Sequence, residues 1–257
     1  KLTDTWPVNF DDNPSSEGFA NQDGNTAQEL YNDDIFVGYR YYDTFGVDVS
    51  YPFGYGGSYT SFAMSTKSVK ADKDKVTVQV KVKNTGTVSG KEVAEVYFSA
   101  PDGELDKPYQ ELAGYAKTDE LAPGESQILT ISFDTKEMGS YDTDKAAYVM
   151  EDGDYIIRVG NSSRNTHVAA KLNVAEDTIT EQYSNLMVPV TENDNIENSD
   201  KYPTLEPMTT EGATSITYDG EANEIAAAKT IEVDFTGYKA PEIIKENEDV
   251  TVYTSDT

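Results

Sequence analysis

Through its middle, the chain alternates apolar and polar side chains with a period of two. Val76, Val78, Val80 and Val82 alternate with Thr77, Gln79 and Lys81, which predicts a half-buried strand. Asn84-Thr85-Gly86 then supplies turn chemistry. Glu92–Ser99 carries Val93, Val96, Tyr97 and Phe98, a denser apolar run suited to a central strand. The alternation returns at Leu129, Ile131 and Phe133, at Tyr155, Ile157 and Val159, and at Val168, Ala170, Leu172 and Val174. Pro123-Gly124 and Asp152-Gly153 mark turns between these runs. About seven short strands over roughly 115 residues, with no helix among them, predict a two-sheet sandwich of immunoglobulin or fibronectin type.

The flanks have other patterns. Residues 31–62 hold seven of the 18 tyrosines together with Phe36, Phe45 and Phe53. Here Ile35–Tyr42 is expected to be a strand, Asp43–Gly46 a turn, and Tyr51–Tyr55 a return segment. So many large rings are too costly to leave in water. The segment therefore reads as a seam between domains, with a ligand platform as the alternative. Residues 1–30 show no lasting period and are expected to be loop, with the single tryptophan, Trp6, docked on a neighbouring surface.

After Ala175 the composition shifts to Asn, Glu, Thr and Pro, and an extended course is expected over 177–207. Thr230–Phe235 and Val250–Tyr253 are β-like, and Ala222–Lys229 offers a turn or two of helix. Isolated strands are unstable, so this tail should pair with a sheet edge or with another domain. The expected fold is mainly β: a sandwich with an aromatic-rich N-terminal extension and an acidic, largely extended C-terminal tail.

Charge narrows the possible partners. The formal net charge is −27, and Glu176–Thr257 contributes 19 acidic residues against 4 lysines. Nucleic acid and anionic membrane surfaces would be repelled. No run approaches the length of apolar sequence needed to span a bilayer. The absence of cysteine removes disulfides, thiolate metal sites and cysteine nucleophiles. It fits an exported bacterial protein, extracellular or on the cell surface, as well as a cytoplasmic one. Lys1-Leu2-Thr3 does not read as a natural start, so a piece of a longer product is expected.

Candidate chemistry is sparse. Asp33, Asp34 and Asp43 sit among aromatic rings, as sugar-binding carboxylates do, although turn capping or pairing with Arg40 is the preferred reading. Arg40, between Tyr39 and Tyr41, is expected to stack on a ring and bridge to Asp43. His167, the sole histidine, cannot complete a zinc site or a serine triad, and a structural or solvent-facing role is expected. Glu192–Asp200 lacks the spacing of a calcium-binding EF-hand loop and reads as solvated linker. Asn161-Ser162-Ser163 matches a glycosylation acceptor at the level expected by chance. No cofactor and no metal site are expected.

Several segments together resemble one family. ELYNDDIFVGYRYYDTFG at 29–46, YPFGYGGSYT at 51–60, VKNTG at 82–86, GKEVAEVY at 90–97, ELAGYAKT at 111–118, LAPGES at 121–126 and GDYIIRVGNSS at 153–163 occur in this order in glycoside hydrolase family 3. The opening KLTDTWP resembles the close of that family's α/β sandwich domain, and residues 60–175 resemble its fibronectin type III-like domain. One departure is Gly57, where the family more often has leucine. The resemblance implies three parts. Residues 1–59 would end the α/β sandwich domain and add the aromatic linker, 60–175 would be the fibronectin type III-like domain, and 176–257 an acidic connector. That connector would lead to a (β/α)8 barrel in members with reversed domain order. The implied chemistry is retaining hydrolysis of terminal β-linked glucose or xylose by an aspartate nucleophile and a glutamate acid/base about 5–5.5 Å apart. Neither family motif matches anything in this sequence, so the chain is expected to hold no catalytic residue, and its substrate-binding residues are left unassigned. The implied partners are the barrel and α/β sandwich domains of the same enzyme, with oligosaccharide reached through them; a homo-oligomer is compatible with the sequence. An independent carbohydrate-binding or adhesion module is the rival reading.

Overall fold

The computed structural model describes residues 1–16, 18, 19, 24, 31–184 and 207–242. In chain order the elements are β1 (Trp6–Pro7), α1 (Tyr39–Thr44), β2 (Val49–Tyr51), β3 (Phe62–Ala71), β4 (Lys75–Asn84), β5 (Val93–Ser99), β6 (Glu111–Lys117) and β7 (Ser126–Asp134). There follow β8 (Ser140–Asp142), β9 (Ala147–Met150), β10 (Gly153–Gly160), β11 (Thr166–Val174), β12 (Thr178–Gln182), α2 (Glu221–Ala227) and β13 (Thr230–Val233).

Two sheets face each other. One is antiparallel, in the order β3-β4-β7; the other runs β13-β11-β10-β5-β6. The valine alternation of β4 does what its period requires: Val76, Val78, Val80 and Val82 are all fully buried, while the intervening side chains point away. They meet Val96, Phe98, Tyr155, Ile157 and Leu172 of the opposite sheet in one apolar core. Strand β10 lies between β5 and β11, which explains why Tyr155–Gly160 is buried on both faces. The β3–β4 turn is closed by Asp72, whose carboxylate accepts the N–H groups of Asp74 and Lys75. At the far end of β4, Asn84 is fully buried. Its amide donates to the carbonyls of Val88 and Leu121, and its side-chain oxygen accepts from Thr60 and Gly86. The turn residue therefore also ties three loops together.

The tail joins the sandwich. β13 pairs in parallel with β11, from Lys171↔Thr230 to Val174↔Val233. Thus the Thr230–Phe235 run adds a strand to a sheet edge, and the short helical run packs as α2 against β11. β12 pairs with β9 in a small third sheet, β12-β9-β8. There Tyr141, Tyr148 and Tyr183 contact each other edge-on, at 5.2–6.2 Å between ring centres. Val250–Tyr253, Glu192–Asp200 and most of the segment expected to be extended lie outside the described residues.

One expected strand is overturned. Ile35–Tyr42 is not a strand; the chain turns at Asp33–Phe36 and enters helix α1 at Tyr39. Gly38, at φ 60°, redirects the backbone into the helix, and the N–H groups of Tyr42 and Phe45 donate to the carbonyls of Gly38 and Tyr41. A strand would send alternate rings to opposite sides. The helix instead lets Tyr41 pack on Phe45 at 5.2 Å while Tyr42 and Asp43 turn inward.

Candidate functional site

The aromatic segment is fastened to the sandwich by polar cross-links that start from α1. The ring of Tyr39 lies 5.0 Å from Phe53 and edge-on to Tyr97 at 6.0 Å. Its hydroxyl oxygen accepts the N–H of Leu112 at 2.8 Å. Tyr42 is buried and donates its hydroxyl to Asn13. Asp43 is 1% exposed; its carboxylate accepts from Arg164 Nε at 2.9 Å and from Gln110 Nε2 at 3.3 Å. Arg164 also donates to the carbonyls of Tyr42 and Val47. Burial pushes the Asp43 carboxyl above the usual carboxylate range, against the opposing pull of Arg164, Ser163 and Gln110. Arg164 stands in the turn between β10 and β11, so this ion pair clamps α1 to the end of the central strands.

A second close approach lies under Phe53-Gly54. Gly54 has φ +79°, and a Cβ there would meet the Glu95 carboxylate at 2.5 Å and Ser162 Cα at 2.8 Å. Glu95 is buried and accepts the Tyr97 hydroxyl at 2.7 Å. Burial raises the Glu95 carboxyl, with the Tyr97 hydrogen bond acting the other way. Tyr97 in turn is held far above its ordinary value by burial and by the facing carboxylate.

The loop between β5 and β6 and the tail segment 210–215 enclose a cleft of about 520 Å³, with Asp102, Lys107, Tyr109, Arg158, Thr210 and Ser215 among its lining. Three of its charged lining residues are engaged from within the fold. Lys107 pairs with Glu151. Arg158 Nη1 lies 2.6 Å from Glu221 Oε1, and the Tyr109 hydroxyl donates to the same oxygen. The Arg158 guanidinium also lies over the Tyr109 ring at 4.8 Å. Asp106 accepts from Thr210.

The residues singled out in the sequence are not brought together. Asp33 and Asp34 form the turn before α1: the Asp33 carbonyl accepts the Phe36 N–H, and Asp34 has φ 50°. Arg40 reaches Glu111 at 3.2 Å rather than Asp43. The expected Arg40–Asp43 bridge fails because the helix turns Asp43 inward to Arg164, and the cation over a ring is Arg158. His167 is exposed, with Nδ1 3.0 Å from Glu224 on α2, which fits the solvent-facing reading. Asn161 donates to Glu92 and accepts from Asn165. Trp6 is left uncovered by the described residues: it is 55% exposed and meets Tyr51 edge-on at 6.3 Å. Among the described residues there is no metal-ligating cluster and no helix long and apolar enough to cross a membrane.

Sequence reasoning missed Arg158, Arg164, Gln110 and Glu221. A signal was present. The chain has only three arginines beside its many lysines, and each bridges a carboxylate on a different element. A guanidinium is the cation suited to such half-dry, forked contacts.

The sandwich is that of a fibronectin type III-like domain, and residues 92–163 match the family model of that description. The chain is 40% identical over 212 residues to β-glucosidase A of Butyrivibrio fibrisolvens, a match covering 74% of this chain and 25% of that protein. It is 42% identical over 197 residues to a β-glucosidase of Ruminococcus albus, covering 74% and 20%. The solved β-glucosidase of Paenibacillus barengoltzii superposes with a TM-score of 0.67 at 44% identity, over 72% of this chain and 21% of that one. The chain is thus similar, over about seven-tenths of its length, to the part of glycoside hydrolase family 3 β-glucosidases that carries the fibronectin type III-like domain. It spans about a fifth to a quarter of the length of the curated relatives it matches.

Proposed function

We propose that the chain is the structural, non-catalytic portion of a family 3 retaining β-glycosidase, and that it supports the catalytic domains through its aromatic segment. The observation that carries this reading is the use made of the carboxylates. Every buried carboxylate among the described residues has a cation or hydroxyl partner from within the fold: Asp43 with Arg164, Glu95 with Tyr97, Asp142 with Lys145, Glu151 with Lys107 and Glu221 with Arg158. A retaining glycosidase needs one ionised and one protonated carboxyl facing each other across a sugar. Carboxylates engaged as cross-links do not supply that arrangement.

On this reading residues 1–59 close an α/β sandwich domain, 60–175 form the fibronectin type III-like domain, and 176–257 lead towards a barrel. The whole enzyme would release terminal β-linked glucose or xylose without a cofactor, outside the cell or at its surface. The exposed rings of Trp6, Tyr51 and Tyr55 are what favour the rival, a carbohydrate-binding module. Their mutual angles of 76° and 44° do not make the flat platform on which a sugar stacks. The test is hydrolysis of aryl β-glucoside and β-xyloside by the purified chain, alone and mixed with the barrel and α/β sandwich domains. No turnover alone and restored turnover on mixing is expected. Turnover by the chain alone would refute the assignment.

A further inference from the structure

The outer face of the β3-β4-β7 sheet carries charge of the opposite sign to the chain as a whole. Residues 60–91 hold seven lysines against two aspartates, whereas the full chain has 20 basic and 47 acidic residues. The strand period decides where these lysines go. Val76, Val78, Val80 and Val82 take the inner face of β4, so Lys81 and Lys83 stand on the outer one, about 7 Å apart. Register places Ser65 and Ile128 on either side of Lys81. Lys70 flanks Thr77, about 14 Å further along the strands. Lys67 is exposed in the bulge between Thr66 and Ser68. A polar floor runs between the lysines: Ser68 donates to Gln79, and the Thr77 and Ser132 hydroxyls share a hydrogen bond. Among the described residues no carboxylate pairs with Lys67, Lys70, Lys81 or Lys83. The three strands contain a single acidic residue, Asp134, at the end of β7 opposite Lys75. Asp72 and Asp74 lie beyond the strand ends, one closing the β3–β4 turn and the other paired with Lys73. A solvated sheet face ordinarily mixes both signs; a face of one sign attracts the other.

We infer that this face binds an acidic polysaccharide, a linear chain of uronic acid sugars with one carboxylate on each. The remaining charge of the protein does not prevent it. At physiological salt a charge is felt over about 8 Å, and Glu221, Glu224 and Glu232 belong to α2 and β13, which join the opposite sheet. The ligand class follows from what the face holds and lacks. Its outward positions carry no arginine and no ring, which disfavours nucleic acid, gripped by forked guanidinium contacts and stacked on aromatics. Lysines are point charges on flexible stems, suited to carboxylates spaced along a pliable polymer. The hydroxyls and amide between them match sugar hydroxyls, and Ile128, 54% exposed beside Lys81, offers an apolar spot to sugar C–H groups. The inference stands apart from the reading under Proposed function, since it concerns what the chain adheres to and not what an enzyme cleaves.

The test is calorimetric titration of the full chain with polygalacturonate, with hydroxyethylcellulose as a neutral glucan and single-stranded poly(dT) in parallel. Binding of polygalacturonate alone is expected. Raising NaCl from about 50 to about 200 mM should weaken it about tenfold or more, as counterion release from three or four contacts requires. The combined Lys67→Gln, Lys70→Gln, Lys81→Gln and Lys83→Gln variant should lose at least tenfold in affinity, and Lys83→Gln alone about twofold. A control combines Lys91→Gln, Lys117→Gln, Lys229→Gln and Lys239→Gln, also at exposed positions. It changes the net charge equally and should bind like the parent. Urea midpoints confirm that both variants remain folded. Equal losses in the two variants, or binding indifferent to salt, would overturn this face. No binding of polygalacturonate would overturn the inference, as would equal or tighter binding of poly(dT) or the neutral glucan, either of which would replace the ligand class. None of these outcomes bears on the proposed function, which is tested by turnover.

Discussion

Removing Glu221 tests whether the tail is energetically part of the sandwich. The Arg158 side chain is 3% exposed and that of Glu221 8%. Glu221→Ala deletes the acceptor of the Tyr109 hydroxyl and leaves the buried Arg158 guanidinium without its counter-charge. Breaking such a pair costs about 3–5 kcal/mol. Two contacts survive: Arg158 Nε still donates to Ser99 at 2.8 Å, and the Tyr109 ring still faces the cation. The lower end, about 3 kcal/mol, is therefore expected. With a urea slope of about 2 kcal/mol per molar, the unfolding midpoint should fall by about 1.5 M. Glu221→Gln keeps a carbonyl acceptor and should cost only about 1–2 kcal/mol. The double change Arg158→Met with Glu221→Leu should return to within about 1 kcal/mol of the parent, because an apolar pair carries no desolvation penalty. The assay is urea unfolding followed by circular dichroism in the β region. A midpoint shift below about 0.3 M for Glu221→Ala, at the same slope, would mean that the sandwich stands without residues 207–242. The reasoning would then fail.

Two further outcomes follow from the same geometry. Glu95 has a folded-state carboxyl raised by burial, so its contribution to stability is present below the unfolded value of about 4.3 and is lost as pH rises through the raised folded value. Glu95→Gln removes that loss while keeping an acceptor for Tyr97. Its urea midpoint relative to the parent should therefore climb between acidic and neutral pH; a constant difference would argue against a buried, ionising Glu95. Gly54→Ala places a methyl group against the Glu95 carboxylate and Ser162 at a positive φ and should cost about 2 kcal/mol or more. An unchanged thermal midpoint would show that the aromatic segment does not press on the sheet as described.

The middle of the chain could be read from its alternation because a strand's facing pattern is local. Once β4 is extended, every second valine has to share a face, and only one side of a sandwich is dry. The same holds for the edge strand in the tail, where Ile231 and Val233 alternate with charged residues. The aromatic segment resisted this reading. Its rings are dense enough to serve either a strand or a helix, and a short apolar run does not distinguish the two. Gly38 and the inward demand of Asp43 chose the helix, and that demand comes from Arg164, 121 residues away.

The sequence by itself determined the sandwich, the family resemblance, the acidic balance and the absence of thiol chemistry, since each rests on composition, local period or ordered motifs. Only the tertiary structure decided which carboxylate meets which arginine, that the tail closes over Arg158, and that Trp6, Tyr51 and Tyr55 stay uncovered. Those outcomes depend on desolvation and on partners far apart in the chain, and no local pattern encodes either.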